Sequence, residues 1–479
     1  MPPRPSLLAL AAAALLSACA AGPDYVRPAL PLPDAYKEAG DWKAADPRPA
    51  ASGLAWWQAY GDPVLDGLEA DAGQANQTIR QAEAAYRQAK ALADADRAGL
   101  FPSVGLNAGA QRARTNANGV RIGDAYSLGL AASWEPDLWG SVRRTIEAGN
   151  AGAQASADDL AAARLSIQTT LAQDYLQLRI ADQQRDLHAA TIEAYTKAAG
   201  LTRAQRGAGV ALQSDVAVAE AQLAQAQAAA VDLEAARAQL EHAIAVLTGR
   251  APAQFALAAV PAGQPLALKM PASPAGLPSA LLEHRPDIAA AERRAAAANA
   301  EIGVARAAYF PQLTLSAGGG FSAAALGSLF DAPARVWSLG AALAQTIFDG
   351  GLRSARSAQA EAAYDAAVAQ YKATVLGGFQ QVEDQLALLR LLAQETALQD
   401  QAVRASQQAE QSALAQYRAG TLSYLNVVTA QTLSLNNQRS AVQLRGRLVA
   451  ASISLVAATG GGWSADHSTA VAATPAQAH

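Results

Sequence analysis

The sequence predicts an internally duplicated α+β fold in which long antiparallel helices run directly into pairs of amphipathic strands. Three observations predict it. The first is a change of period between His284 and Phe321 that no loop announces. Arg285-Pro286-Asp287 places Pro in the first turn of a helix and Asp at the positive end of its dipole, and an Ala-rich run follows with no Gly until Gly303. Phe310-Pro311 stops that helix near Tyr309, because Pro311 has no N–H and pushes the residue before it into the extended region. Beyond it Leu313, Leu315 and Ala317 alternate with Gln312, Thr314, Ser316 and Gly318, the period of two of a strand with one apolar face.

The second observation is that this junction occurs twice. Leu100-Phe101-Pro102 ends an earlier helical run and leads into Ser103 to Gly109, which alternates in the same way. Tyr126 to Pro136 followed by Gly140-Ser141-Val142-Arg143 resembles Trp337 to Phe348 followed by Gly350-Gly351-Leu352-Arg353, and Arg206-Gly207-Ala208-Gly209 resembles Arg418-Ala419-Gly420-Thr421. Landmarks about 210 residues apart define a tandem duplication of one helix–strand–strand–helix–helix unit. The third observation is helix length. From Ser141 to about Gln205 there is no Pro and only Gly149, Gly152 and Gly200 interrupt, so the helix would reach roughly 90–100 Å. No globular core needs such a rod.

Taken in order, residues 1–18 read as a lipoprotein signal peptide. Arg4 precedes the apolar stretch Leu7 to Leu16, too short to span a bilayer as a mature helix but right for a signal core. The stretch ends in Leu16-Ser17-Ala18-Cys19, and Cys19 is the single cysteine. It is expected to carry a covalent S-diacylglycerol and N-acyl lipid, the alternative being an ordinary secretory signal with an incidental Cys. Ala20, rather than Asp, after the cysteine favours the outer membrane, and several acyl chains anchor stably at roughly 0.8 kcal/mol per buried CH₂. With its one Cys so used, the chain has no disulfide. Residues 19–61 are an extended, lipidated arm rich in Pro, with Trp42, Trp56 and Trp57 to pin it.

The first repeat, 62–250, opens with a helix from about Pro63 to Leu100, with Asp66 and Glu69 near its start and Lys90 and Arg97 toward its end. Strands follow at about 101–112 and 123–136. On the second, Tyr126, Leu128, Leu130, Ala132 and Trp134 take one face, and Ser127, Gly129, Ala131 and Ser133 the other. The long helix from Ser141 reverses at Gly207-Ala208-Gly209 into a second one, Leu212 to Leu247, and the Ala-dense pair with spaced Leu reads as antiparallel coiled coil. Residues 251–283 are a Pro-rich connector. The second repeat, 284–462, has a helix at 285–309, strands at 311–321 and 336–348, a helix from Leu352 to Tyr417, a turn at Gly420 and a helix to about Thr459. The tail, 463–479, is expected to be disordered.

Of 479 residues, 51% are hydrophobic and only 16% charged, with a net charge of −4 and no basic stripe with interleaved aromatics, so nucleic acid is not expected as a partner. Outside the N-terminus no apolar run reaches about 18 residues, which excludes a transmembrane helix. No HExxH, GxSxG or phosphate loop is present, and His188, His242, His284, His467 and His479 are scattered, so neither an enzyme nor a metal or cofactor site is expected. Arg285 and Asp287 are best read as structural. The strands carry the functional signal. Four per chain cannot close a barrel around a lumen, and an open edge cannot sit in lipid with its N–H and C=O groups unsatisfied. Three copies would bring about 12 strands together, an even number within the outer-membrane range, each long enough to cross the hydrocarbon when tilted. Alternation by itself also fits a soluble sheet half-buried against protein.

At this point a resemblance is plain. Cys19-Ala20-Ala21-Gly22-Pro23-Asp24-Tyr25, Trp56-Trp57 with Asp62-Pro63-Val64-Leu65, Arg285-Pro286-Asp287 through Glu301-Ile302-Gly303-Val304-Ala305-Arg306-Ala307-Ala308-Tyr309-Phe310-Pro311, and Gly460-Gly461-Gly462-Trp463 resemble the outer membrane factors, the TolC and OprM-like channel-tunnels, in their NodT-type lipoprotein branch. The resemblance implies an α+β membrane channel: a long antiparallel α-helical coiled-coil barrel in the periplasm plus a trimeric 12-stranded β-barrel in the outer membrane, four strands from each protomer. It implies a homotrimer in outer-membrane lipid that docks to a periplasmic adaptor (membrane fusion) protein and an inner-membrane RND-type transporter.

It also implies a gate where the helical hairpin tips converge. The inner tip is Tyr417-Arg418-Ala419-Gly420-Thr421-Leu422-Ser423-Tyr424-Leu425-Asn426-Val427-Val428-Thr429, and the facing tip is Ser214-Asp215. Asp215 and Tyr417 are candidate link partners, and Leu425, Asn426 and Thr429 stand where relatives place constricting Leu or Asp. Asn426 and Thr429 are neutral here, and Leu422 stands where one branch has Arg, which argues against an acidic ring or an Arg latch and for an apolar constriction at Leu425. Ordinary hairpin packing is the other reading of these residues. Efflux of small molecules, export of a protein by a type I system, and a lipid-anchored periplasmic scaffold without a pore are the functions to be separated.

Overall fold

The computed structural model describes residues 21–30, 35–39, 55–116, 121–261 and 285–463. The expected signal peptide, Cys19, Trp42, most of the Pro-rich connector and nearly all of the tail lie outside these residues. In chain order the elements are α1 (Pro63–Ala75), α2 (Gln77–Ala98), β1 (Ser103–Thr115), β2 (Arg121–Trp134), α3 (Ser141–Gly207), α4 (Gln213–Leu247), α5 (Pro286–Ala307), β3 (Gln312–Ala323), β4 (Arg335–Ala344), α6 (Leu352–Arg418) and α7 (Tyr424–Ala458). The duplication persists in the lengths: α3 and α6 each have 67 residues, α4 and α7 each 35. Both hairpins turn in the same way. Gly209 (φ +78°) and Gly420 (φ +75°) take the left-handed conformation, and the N–H groups of Val210 and Thr421 donate to the carbonyls of Gln205 and Gln416.

One expectation is corrected at the start. The single helix over 63–100 is two helices, broken at Asn76, whose backbone is extended (ψ 127°). The Asn76 carboxamide oxygen accepts the N–H groups of Thr78 (2.9 Å) and Ile79 (3.1 Å), and its amide donates to the Leu247 carbonyl (2.8 Å). Asn therefore ends one helix by capping the next. Asp62 caps α1 at Val64 and Leu65.

The chain forms two compact units, and α2, α3, α5 and α6 each contribute residues to both. The first comprises Met1–Leu30, Ala84–Ala157 and Ala290–Ala373. It holds one sheet, order β1-β2-β3-β4, antiparallel throughout. The two repeats meet at β2–β3, where Gly129 lies opposite Gly320; a Cβ on Gly320 would sit 2.5 Å from the Gly129 Cα, so this approach requires glycine. Strands β1 and β2 extend further toward their connection than alternation suggested. Ala113-Arg114-Thr115 reads as loop but pairs with Arg121 to Gly123, because backbone pairing continues past the apolar band.

The arm is seated on this unit. The Ala21 N–H donates to the Trp139 carbonyl (3.0 Å), Arg144 holds the Ala21 carbonyl (3.2 Å) and the Asp24 carboxylate (2.7 Å), and the Tyr25 hydroxyl donates to Glu292 (2.7 Å). Gly22 has φ +91°, and a Cβ there would lie 2.5 Å from the Gly303 Cα. The arm backbone thus lies directly on the backbone of α5.

The second unit comprises Pro31–Glu83, Asp158–Ala289 and Thr374–His479. Its core joins Tyr60, Leu65, Leu68, Leu171, Tyr175, Leu178, Ile244 and Ile453, against which Trp56 and Trp57 pack edge-on to each other. Residues 257–260 are held by a polar cluster. Arg179 and Arg237 both pair with Asp182 (3.1 and 2.7 Å), and their free N–H groups donate to the Ala258 and Leu257 carbonyls. Asp182 is buried, so both guanidinium partners offset the loss of its hydration. Arg285 is structural as read. Its guanidinium forks onto Asp287 and donates to Gln381 and to the Ala458 carbonyl at the end of α7.

Candidate channel wall and gate

The sheet has one continuous apolar face. Register places Val104, Ala132, Ala317 and Leu339 in one row across the four strands, and Leu106, Leu130, Gly319 and Trp337 in the next. Trp134, Leu315 and Ala341 form the row nearer the helices, and Ala108, Leu128 and Phe321 the row farther away. No bulge interrupts any pairing, so the alternation holds from end to end. The opposite face is small and polar: Ser103, Gly105 and Asn107 on β1, Ser127, Gly129 and Ser133 on β2, Thr314, Ser316 and Gly318 on β3, Ser338 and Gly340 on β4.

Among the described residues, nothing buries the apolar rows. Leu339 is 76% exposed and Trp337 79%, and Val104, Leu106, Leu130 and Leu343 are exposed as well. From Leu313 to Ala323 the face runs about 34 Å along β3, or about 24 Å of height at 45° tilt, which matches the apolar band of an outer-membrane barrel. Aromatic residues stand at both edges: Phe101, Trp134 and Phe348 near the helices, and Tyr126 with the edge-to-face pair Phe321–Phe330 (5.3 Å) at the other end. An apolar face of this height with an aromatic belt at each edge is a lipid-facing wall.

The second site is the helical tip. A cluster of Ala199 (α3), Ala219 (α4), Ala413 (α6), Tyr424 and Val427 (α7), flanked by Tyr417, Leu422 and Val428, binds the two hairpins to each other. Tyr424 and Val427, which sequence reasoning left unassigned, are its buried centre, and burial pushes the Tyr424 hydroxyl up to about 12, aided by Tyr417 and Tyr195. Their signal was available, since 424 and 427 share a helical stripe with Gln431 and Ser434, which are also buried.

The predicted gate residues fall into two groups. Tyr417 and Leu422 pack on the cluster; Arg418, Leu425, Asn426 and Thr429 are exposed, Leu425 by 64%. Within the protomer the candidate link partners have other partners. The Asp215 carboxylate accepts the Leu212 N–H (3.1 Å) and so caps α4, while the Tyr417 hydroxyl donates to the Gln205 side-chain carbonyl on α3. Tyr417–Gln205 is thus a bond between the hairpins at the tip, and Gln205 was not singled out in the sequence. Asn426 bonds Ser423 (3.0 Å) and Thr429 the Leu425 carbonyl (3.0 Å), leaving Leu425 the large apolar side chain free at the start of α7.

Comparison with known proteins agrees over nearly the whole length. The family model described as outer membrane efflux protein matches residues 69–250 and 277–461. Outer membrane protein OprJ of Pseudomonas aeruginosa is 33% identical over 470 residues, 97% of each chain. The solved outer-membrane channel OprN superposes with a TM-score of 0.87 at 31% identity, covering 93% of this chain and 100% of its own. The MtrE outer membrane channel of Neisseria gonorrhoeae, solved in its open state, gives 0.82 at 28% identity, covering 93% and 98%. The chain belongs to the outer membrane efflux protein family as an outer-membrane channel of TolC-like fold.

Proposed function

We propose that three copies of this chain close a shared barrel of about 12 strands and act, without catalysis of their own, as the exit duct of a tripartite efflux system. The observation that carries the proposal is the sheet itself. Both β1 and β4 are edge strands in the protomer, and edges exposed to lipid would leave a row of N–H and C=O groups without partners at several kcal/mol each. Pairing β4 of one copy with β1 of the next satisfies them and encloses the small, polar face as a lumen. Energy for transport would come from an inner-membrane RND-type transporter, reached through a periplasmic adaptor. The exposed apolar residues Val210 and Leu212 at the α3–α4 turn suit contact with such an adaptor.

In this reading the tips close the duct. Leu425 narrows it, and Tyr417–Gln205 and the Asp215 cap hold the hairpins in the closed arrangement, with Arg418, Leu422, Asn426 and Thr429 around them. Leu425→Ala combined with Asp215→Ala is expected to raise single-channel conductance in planar bilayers several-fold. Conductance equal to that of the unsubstituted protein would remove these residues from the gate, and a protein that is monomeric and never conducts would leave the lipid-anchored scaffold as the better account.

Cys19 would carry the S-diacylglycerol and N-acyl chains that moor the N-terminus. The seating of Ala21 supports this. The Ala21 N–H donates to the carbonyl of Trp139, which stacks on Phe310 (4.8 Å) and donates to the Pro311 carbonyl at the foot of the sheet. Ala21, the first described residue after Cys19, is thus held at the lower edge of the apolar band. Labelled palmitate is expected in the unsubstituted protein and not in Cys19→Ser; equal labelling of both would place the lipid elsewhere.

A further inference from the structure

Every charged residue of the four strands lies at one end of the sheet. Arg112 and Arg114 on β1, Arg121 and Asp124 on β2, and Arg335 on β4 all stand in the part farthest from the helices, and β3 carries none. By parity and register Arg112, Arg114 and Arg335 belong to the apolar face: Arg112 is opposite Asp124, Arg114 opposite Ile122, and Arg335 opposite Phe321. All three side chains are exposed, and the one short ion pair among them, Arg112 to Asp124 at 3.6 Å, leaves the Arg112 side chain 75% in the open. The two hairpin ends, 111–126 and 322–336, hold four Arg against Asp124 and Asp331, a local charge of +2 in a chain of net −4. Arg112 and Arg335 sit on opposite edges of the sheet. Closing a shared barrel by pairing β4 with a neighbouring β1 would bring Arg335 beside the neighbour's basic pair.

We propose that Arg112, Arg114 and Arg335 form a basic collar that binds the phosphate groups of a phosphorylated, multiply acylated glycolipid in the outer leaflet; the proposal rests on the shared-barrel reading. The surface matches both halves of such a molecule. Guanidinium groups present paired N–H donors suited to phosphate oxygens. Beside and below them Ala108, Ala110, Leu128, Phe321 and Trp337 continue the apolar face on which acyl chains would lie, with small Ala side chains beneath the Arg pair on β1. A free phosphate or an acidic peptide would use the arginines and leave the apolar half idle. The lower edge of the band has aromatic residues and no Arg or Lys within the strands, so the recognition is one-sided and points to the leaflet farthest from the helices.

The test uses the full-length, lipidated protein in detergent, with native mass spectrometry reading both its oligomeric mass and bound lipid. The probes are bisphosphorylated lipid A and the same lipid with both phosphates removed. One basic residue at an anionic headgroup surface strengthens binding roughly fivefold, so a net charge of +2 should favour the phosphorylated lipid about thirtyfold. The triple variant Arg112→Gln, Arg114→Gln, Arg335→Gln should lose that preference, and Arg→Lys at the same three positions should keep most of it. A trimer that binds both lipids equally, or a Gln variant with undiminished preference, overturns the collar alone. A monomeric unsubstituted protein overturns the shared barrel and the collar with it. If the Gln variant fails to assemble, the comparison of the two lipids on the unsubstituted and Lys proteins still decides.

Discussion

Leu339→Arg is expected to abolish the assembled channel, whereas Ser338→Arg, one residue away, leaves assembly intact. Leu339 lies in the middle of the apolar face, opposite Ala317, and is 76% exposed in the protomer. On a water-facing surface such a change would fall within about ±0.5 kcal/mol. In lipid the guanidinium costs roughly 2–4 kcal/mol near the midplane, and each copy in the barrel incurs it. Ser338 points to the opposite face beside Gly318, where an added cation meets the aqueous lumen and would alter ion selectivity instead. The measurement is the yield of heat-dissociable oligomer in outer membranes, followed by reversal potential for the Ser338 variant. Full assembly of the Leu339 variant would mean that protein or water, and not lipid, faces these rows.

Much of this wall was legible beforehand because strands obey a strict period of two and Pro marks their ends. Pro102 and Pro311 put both helix-to-strand junctions within two residues of where they occur, and the faces assigned from Leu128, Leu130, Leu313 and Leu339 are those the register unites. What local pattern could not supply was pairing across the chain. The β2–β3 partnership joins residues 126–134 to 315–323 and is set by sheet closure, with Gly129 and Gly320 permitting the close approach. At the tip the same limit applied. Tyr417 was singled out by resemblance, but its partner Gln205 lies on another helix and carries no local signal. The break at Asn76 was missed for a different reason: Asn in a helical run reads as a weak helix former, and only the Leu247 carbonyl it reaches makes it a cap.

Glu69, which the sequence places near the start of a helix, is buried in the structure. It falls on the stripe of Leu65, Leu68 and Ala72, is 2% exposed, and among the described residues neither carboxylate oxygen has a hydrogen-bond partner. Burial, with a smaller contribution from neighbouring Asp66, pushes its pKa up from 4.5 to about 9. Between those values the folded chain keeps a proton that the unfolded chain has released. Stability therefore falls as pH rises through this window, by up to about 1.4 kcal/mol per pH unit, and the accumulated loss at pH 7 is on the order of 3 kcal/mol. Below about pH 4.5 both states are protonated and the group contributes no pH dependence. Glu69→Gln keeps the shape and removes the titration, so its unfolding midpoint is expected to exceed that of the unsubstituted protein clearly at pH 8 and hardly at all at pH 4. Equal shifts at the two pH values would mean that Glu69 ionises normally in the assembled channel, and therefore that the assembly supplies a cation or water contact that the protomer lacks.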